Sequence, residues 1–156
     1  MSLIDEFMPT TALIDVPDRP WVTNEAGIWT RLLLVSADTG TWVVHNRFAP
    51  GVATPTHRHT GRVFAVTMSG AWRYAEYDWV ARAGSVVHEK AGVTHTLLIP
   101  RDNESETEVL FVVEGGNVYF DENGNYLFFQ DGFSLLHDYL RKCEEQGFSA
   151  PDGIVQ

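Results

Sequence analysis

From position 28 onward, short runs of β-branched and aromatic residues alternate with clusters of Gly, Asn, Asp and Pro. That pattern predicts many short strands and no long helix in the body of the chain. The candidate strands are 28–36, 41–48, 54–59, 63–69, 71–77, 85–89, 95–100, 107–114, 117–121 and 125–130. Before them, Pro9, Pro17 and Pro20 punctuate an N-terminal arm over 1–27; each proline restricts its own φ and disfavours helix at its predecessor, so the arm is expected to be extended. Between Val118-Tyr119-Phe120 and Tyr126-Leu127-Phe128, the Asn123-Gly124 pair predicts a type I′ hairpin with positive φ at both residues. Helical spacing appears only near the end, over 133–147. There Leu136, Tyr139 and Leu140 share a face, Ser134 is the expected N-cap and Gly147 the expected stop. No repeat, low-complexity tract or linker divides the 156 residues, so one domain over 1–156 is expected, with the barrel or sandwich over 28–130.

The chain carries 11 Lys plus Arg against 21 Asp plus Glu, a formal charge of -10. This is the wrong sign for phosphate backbones or anionic lipid, and nucleic acid and membrane surfaces are set aside as partners. Apolar runs such as Val109 to Val113 fall well short of the roughly 20 residues of a membrane span. The first residues lack the basic and apolar regions of a secretory signal, so a cytoplasmic location is expected. Cys143 is the only cysteine, which leaves nitrogen and oxygen as the donors for any metal.

Three of the six histidines form the chemically informative pattern. His57 and His59 are two residues apart, which in a strand puts both rings on one face with Cα atoms about 6.5 Å apart while Arg58 points away. His95 follows the turn-forming Ala91-Gly92 at the start of another candidate strand and can supply a third imidazole. Glycines frame both blocks at fixed offsets: Gly51 and Gly70 around the first, Gly84 and Gly92 before His95.

These two blocks resemble the cupin superfamily motifs G-x5-H-x-H-x3/4-E-x6-G and G-x5-P-x-G-x2-H-x3-N across about residues 28–115. All the glycines and histidines align, whereas Val63 stands at the glutamate, Lys90 at the proline and Ile99 at the asparagine. Within that superfamily, the stretches from His57-Arg58-His59 to Leu97 are similar to the 2,4'-dihydroxyacetophenone dioxygenase group and, more distantly, to acetylacetone dioxygenases. The resemblance implies an all-β, jelly-roll-like cupin β-barrel with one divalent metal ion on His57, His59 and His95 and no fourth glutamate ligand at position 63. It further implies non-haem iron(II), with an enolisable small-molecule ketone and O2 as reactants and carbon–carbon bond cleavage as the reaction. The same three nitrogens suit zinc(II) or nickel(II), so a zinc-dependent hydrolase or isomerase is the second reading and a non-catalytic metal-binding sensor the third.

Glu89, six residues before His95, is the candidate catalytic carboxylate, able to hydrogen-bond a ligand imidazole or take a substrate proton. Glu76 is the other carboxylate that could replace the lost glutamate in space. His88 is expected on the opposite face of its strand from Glu89, and His45 and His137 are expected to be structural or surface residues. With Val63 inward, strand parity sends Ala65 and Thr67 to the pocket and Phe64, Val66 and Met68 to an outer face too apolar for water. A homodimer is the expected cover for that face.

Overall fold

The computed structural model describes residues 11–156. The part of the expected arm that precedes Thr11, with Pro9, lies outside the described residues. From Val16 the arm forms a 3-10 turn, Val16–Asp18, and then a two-residue strand β1, Val22–Thr23. It is tied down along its length: Arg19 reaches the carbonyls of Leu33 and Asp152, and Pro20 accepts from the Tyr139 hydroxyl.

The strands are β2 Ile28–Val35, β3 Trp42–Phe48, β4 His57–His59, β5 Val63–Ser69, β6 Ala71–Tyr74, β7 Ala81–Arg82 and β8 Val86–Glu89. They continue as β9 Thr94–His95, β10 Leu97–Leu98, β11 Thr107–Val113, β12 Asn117–Phe120 and β13 Tyr126–Gln130. One sheet has the order β1-β2-β3-β11-β5-β8, a second β13-β12-β4-β9, and a short third β10-β6-β7, all antiparallel in their pairings. The expected strand 95–100 is split. The chain changes sheet at Thr96, so β9 pairs with β4 and β10 with β6. The expected strand 54–59 is regular only over β4.

The inner faces close over a core that includes Leu32, Trp42, Val44, Val63, Ala65, Trp72, Val109 and Phe111. Parity along β5 is as expected, with Val63, Ala65 and Thr67 buried and Phe64 and Met68 exposed. Even the polar inward residue is paired: the Trp72 indole donates to Thr67 Oγ1 at 2.8 Å. The motif glycines have a backbone reason. Gly51, Gly70, Gly84 and Gly92 adopt φ of 84°, 78°, 86° and 84°, the left-handed region that side chains disfavour.

Two local expectations are corrected. No non-glycine residue among those described has positive φ, so Asn123-Gly124 is not a type I′ turn. Instead Asp121 N–H bonds Asn125 O and Gly124 N–H bonds Asp121 O, a three-residue loop with only Gly124 left-handed. The Asp121 carboxylate, accepting from Asn123 and Asn125 N–H, selects that form. The helix α1, Gly132–Glu145, begins earlier than expected. Asp131 is its N-cap and Ser134 the third helical residue, the two closing a reciprocal capping box. Leu135, Tyr139 and Cys143 are its buried ridge, with Leu136 and Leu140 partly buried on the flank. Among the described residues, no helix is long and apolar enough to cross a membrane.

Candidate metal centre

Residues from two of the sheets come together in one cluster. Strand β4 carries His57 and His59 inward with Arg58 exposed. Register sets their neighbours: His57 pairs with His95 of β9, and His59 with Asn117 of β12. Gly92, turning just before β9, donates its N–H to His59 O at 2.7 Å and locks that pairing. From the facing sheet, β8 ends with Glu89 directly opposite Val63 of β5.

All three histidines are buried, at 7%, 4% and 1% exposure for His57, His59 and His95, and their candidate ligand atoms lie within 4.8 Å of one another. The arrangement presets the lone pairs. His57 Nδ1 lies 3.1 Å from Pro55 O and His59 Nδ1 lies 2.6 Å from Asn117 Oδ1, both acceptors, so each ring carries its proton on Nδ1 and leaves Nε2 bare. His59 Nε2 and His95 Nε2 approach to 2.9 Å. His95 is oriented by stacking instead, its ring 3.6 Å from that of Tyr74 and 8° from parallel.

Burial keeps the His57 and His95 rings neutral. Desolvation, with neighbouring His59, lowers His57 to about 4, and desolvation, with His57 and His59, lowers His95 to about 3. Converging, desolvated imidazoles match what a divalent cation requires. The donor set therefore fits a metal, with His57, His59 and His95 as the residues that would hold it.

Glu89 is 5% exposed and lies against two of these histidines, His59 and His95. Its Oε1 accepts a short hydrogen bond from the Tyr74 hydroxyl, and its Oε2 lies 2.8 Å from His59 Nε2 and 3.6 Å from His95 Nε2. Burial, then the Glu89 charge, raises the Tyr74 phenol well above its ordinary value and keeps it a donor. Glu76 makes a different contact: regular strand ends at Tyr74, and the exposed Glu76 carboxylate takes the Thr96 N–H at 3.1 Å. His88 faces outward against Phe64, and His137 is exposed on α1. His45 is buried on the outer face of β3, where Arg31 Nε donates to its Nδ1 and Trp21 packs on its ring.

Neither Asn117 nor Tyr74 is marked as a site residue by the sequence pattern. Asn117 opens its strand just after Gly115-Gly116, and Tyr74 alternates with Trp72 on one strand face, but neither signal is specific without the cross-strand register. A cavity of about 610 Å³ is lined by His57 and His59 and walled by Phe48, Tyr74, Phe111, Tyr119 and Phe128 with Asn46 among them. That is within the usual range for small organic ligands, about 300–1,000 Å³.

The structure is similar to that of a protein of unknown function with a cupin-like fold from Ralstonia eutropha JMP134. Identity is 33% over 92% of this chain and 91% of that one, with a TM-score of 0.83. An RmlC-like cupin protein from the same organism matches at 28% identity over 97% of both chains, with a TM-score of 0.85. Acetylacetone dioxygenase from Acinetobacter johnsonii shares the fold at 19% identity, over 91% of this chain and 99% of that one, with a TM-score of 0.77. No functionally curated protein matches the chain. The family model of the ChrR cupin-like domain matches residues 9–118, the region holding all three histidines, and the chain belongs to that family of cupins.

Proposed function

We propose that this protein is a metal-dependent dioxygenase, with iron(II) on His57, His59 and His95, that cleaves a carbon–carbon bond of an enolisable ketone such as a hydroxyacetophenone or a β-diketone. The observation that carries the reading is the convergence of three buried imidazoles, two of which, His57 and His59, line an aromatic-walled cavity. The fold shared with an acetylacetone dioxygenase is consistent with it. When bound, such an ion supplies Lewis acidity and open positions for a ketone oxygen and O2.

The chain's own residues do the rest. Phe48, Phe111 and Tyr119 form apolar walls that exclude water and hold a flat acyl or aryl group. Glu89, gripped at Oε1 by Tyr74, presents Oε2 as the acceptor for the proton lost from the ketone's α-carbon. Asn117 keeps the His59 proton on Nδ1, away from the reacting atoms. The products are a carboxylic acid with either a second acid or an aldehyde.

Anaerobic reconstitution with iron(II), followed by O2 uptake across hydroxyacetophenones and 1,3-diketones, tests the reading. Uptake that depends on both iron and ketone is expected, and its absence across the panel refutes the dioxygenase. Hydrolysis or isomerisation with zinc(II) and no O2 uptake would favour the second enzymatic reading.

The proposal extends to a cytoplasmic homodimer. Phe64, Met68 and Val86, at 41%, 54% and 63% exposure, form an apolar outer face on β5 and β8 that a second copy would cover. A monomeric mass by light scattering at micromolar protein rejects the dimer.

A further inference from the structure

The position of Glu89 relative to His59 and His95 is not that of a hydrogen-bonding neighbour. Glu89 Oε2 approaches His59 Nε2 to 2.8 Å, yet it is a buried oxygen without a hydrogen-bond partner, because the two groups are misaligned for one. His59 has its proton on the other nitrogen, fixed by Asn117, so Nε2 and Oε2 are both acceptors. Two acceptors at that separation in a desolvated site repel each other unless a positive charge lies beside both. An ion bound at about 2.1 Å spaces its adjacent ligand atoms by about 3.0 Å at right angles and about 3.4 Å in a tetrahedron. The three separations among His59 Nε2, His95 Nε2 and Glu89 Oε2 are 2.9, 2.8 and 3.6 Å. They bracket that spacing.

We propose that Glu89 Oε2 is a fourth protein ligand of the metal, making the resting site three imidazoles and one carboxylate drawn from two different sheets. Tyr74 is the positioning residue. Its hydroxyl occupies Oε1 and its ring stacks on His95, so one side chain aims two ligands. Glu89 is directly opposite Val63 in the β5–β8 ladder, and side chains so paired leave the same face with Cβ atoms about 4.5–5.5 Å apart. A carboxylate on either strand therefore reaches the same space. Beyond binding, one negative ligand offsets half the charge of a divalent ion, so an anionic substrate meets a less positive centre than three imidazoles alone would offer. The inference rests on the three-histidine reading of the metal centre. It is compatible with proton acceptance, since a carboxylate that releases the ion frees the same oxygen.

The test uses the full-length protein loaded with cobalt(II), its ion located crystallographically by anomalous scattering and its affinity measured by competition with a chelating dye. The expected structure has Glu89 Oε2 about 2.0–2.2 Å from the ion. The expected affinities are a loss of more than about tenfold in Glu89→Gln, with most of it regained in the Val63→Glu, Glu89→Gln double variant. An ion held by the three imidazoles with Oε2 beyond about 3 Å, or a Glu89→Gln variant that binds cobalt as tightly as the parent, overturns this proposal and leaves the three-histidine centre standing. A parent protein that binds no cobalt overturns both. Should Glu89→Gln fail to fold, the crystallographic distance in the parent decides alone.

Discussion

Lowering the pH from 8 to 5 is expected to strip the metal-free protein of much of its stability, through three buried histidines. His45, His57 and His95 are lowered to about 4, about 4 and about 3 from 6.5, chiefly by desolvation. Arg31 and Arg47 add to the shift at His45, and neighbouring imidazoles at the other two. A folded-state value below the unfolded one means that the unfolded chain takes up protons first. The stability these residues contribute is complete above about pH 6.5, falls as the pH drops below it, and stops falling once the folded rings themselves protonate near 4 and 3. At pH 5 each contributes a loss of about 2 kcal/mol, so the three together cost about 6 kcal/mol against a typical total of about 5–15. The Glu114 carboxyl, held low by Arg62, titrates below this window. Urea unfolding in the presence of a chelator at pH 8, 7, 6 and 5 measures the effect. Zinc(II) should raise the unfolding free energy at each of these pH values without abolishing its fall towards pH 5, because the protons are taken up by the unfolded chain. An unfolding free energy constant to within about 1 kcal/mol from pH 8 to 5 would refute the assignment of these rings as buried and neutral.

His57→Ala, His59→Ala and His95→Ala should each remove most bound metal, as read by elemental analysis, whereas His137→Ala should leave it unchanged; metal retained in any of the first three contradicts the centre. Asn117→Leu should keep the fold by circular dichroism and weaken metal binding by about 10–100-fold, because the His59 tautomer is no longer held. Leu135→Ala should cost about 2–5 kcal/mol in urea unfolding by opening a cavity beneath α1, and a loss under 1 would show that the helix does not rely on that ridge.

Which features were legible in the chain depends on how local the physics is. His57 and His59 share a face because strand side chains alternate, and the motif glycines mark left-handed turns; both properties belong to a few consecutive residues. The inward and outward residues of β5 follow from the same alternation. The turn at Asn123-Gly124 departs from its dipeptide signal because a side chain three residues from the glycine, Asp121, competes for the backbone and selects another loop. The helix starts earlier than its apolar spacing indicates for a similar reason, as Asp131 and Ser134 cap reciprocally rather than Ser134 alone.

By itself, the sequence determined a β body with a late helix and a pair of histidines on one strand face, with a third in another block. Those follow from alternation, turn chemistry and composition. Only the tertiary structure decided which carboxylate joins the histidines. Glu76 and Glu89 are equivalent as residue types, but β8 pairs with β5 so that Glu89 faces inward opposite Val63, while the strand carrying Glu76 ends two residues too early. The same holds for Asn117, 58 residues from the histidine it orients. Register between strands distant in sequence is set by the packing of the whole core, and no local pattern encodes it.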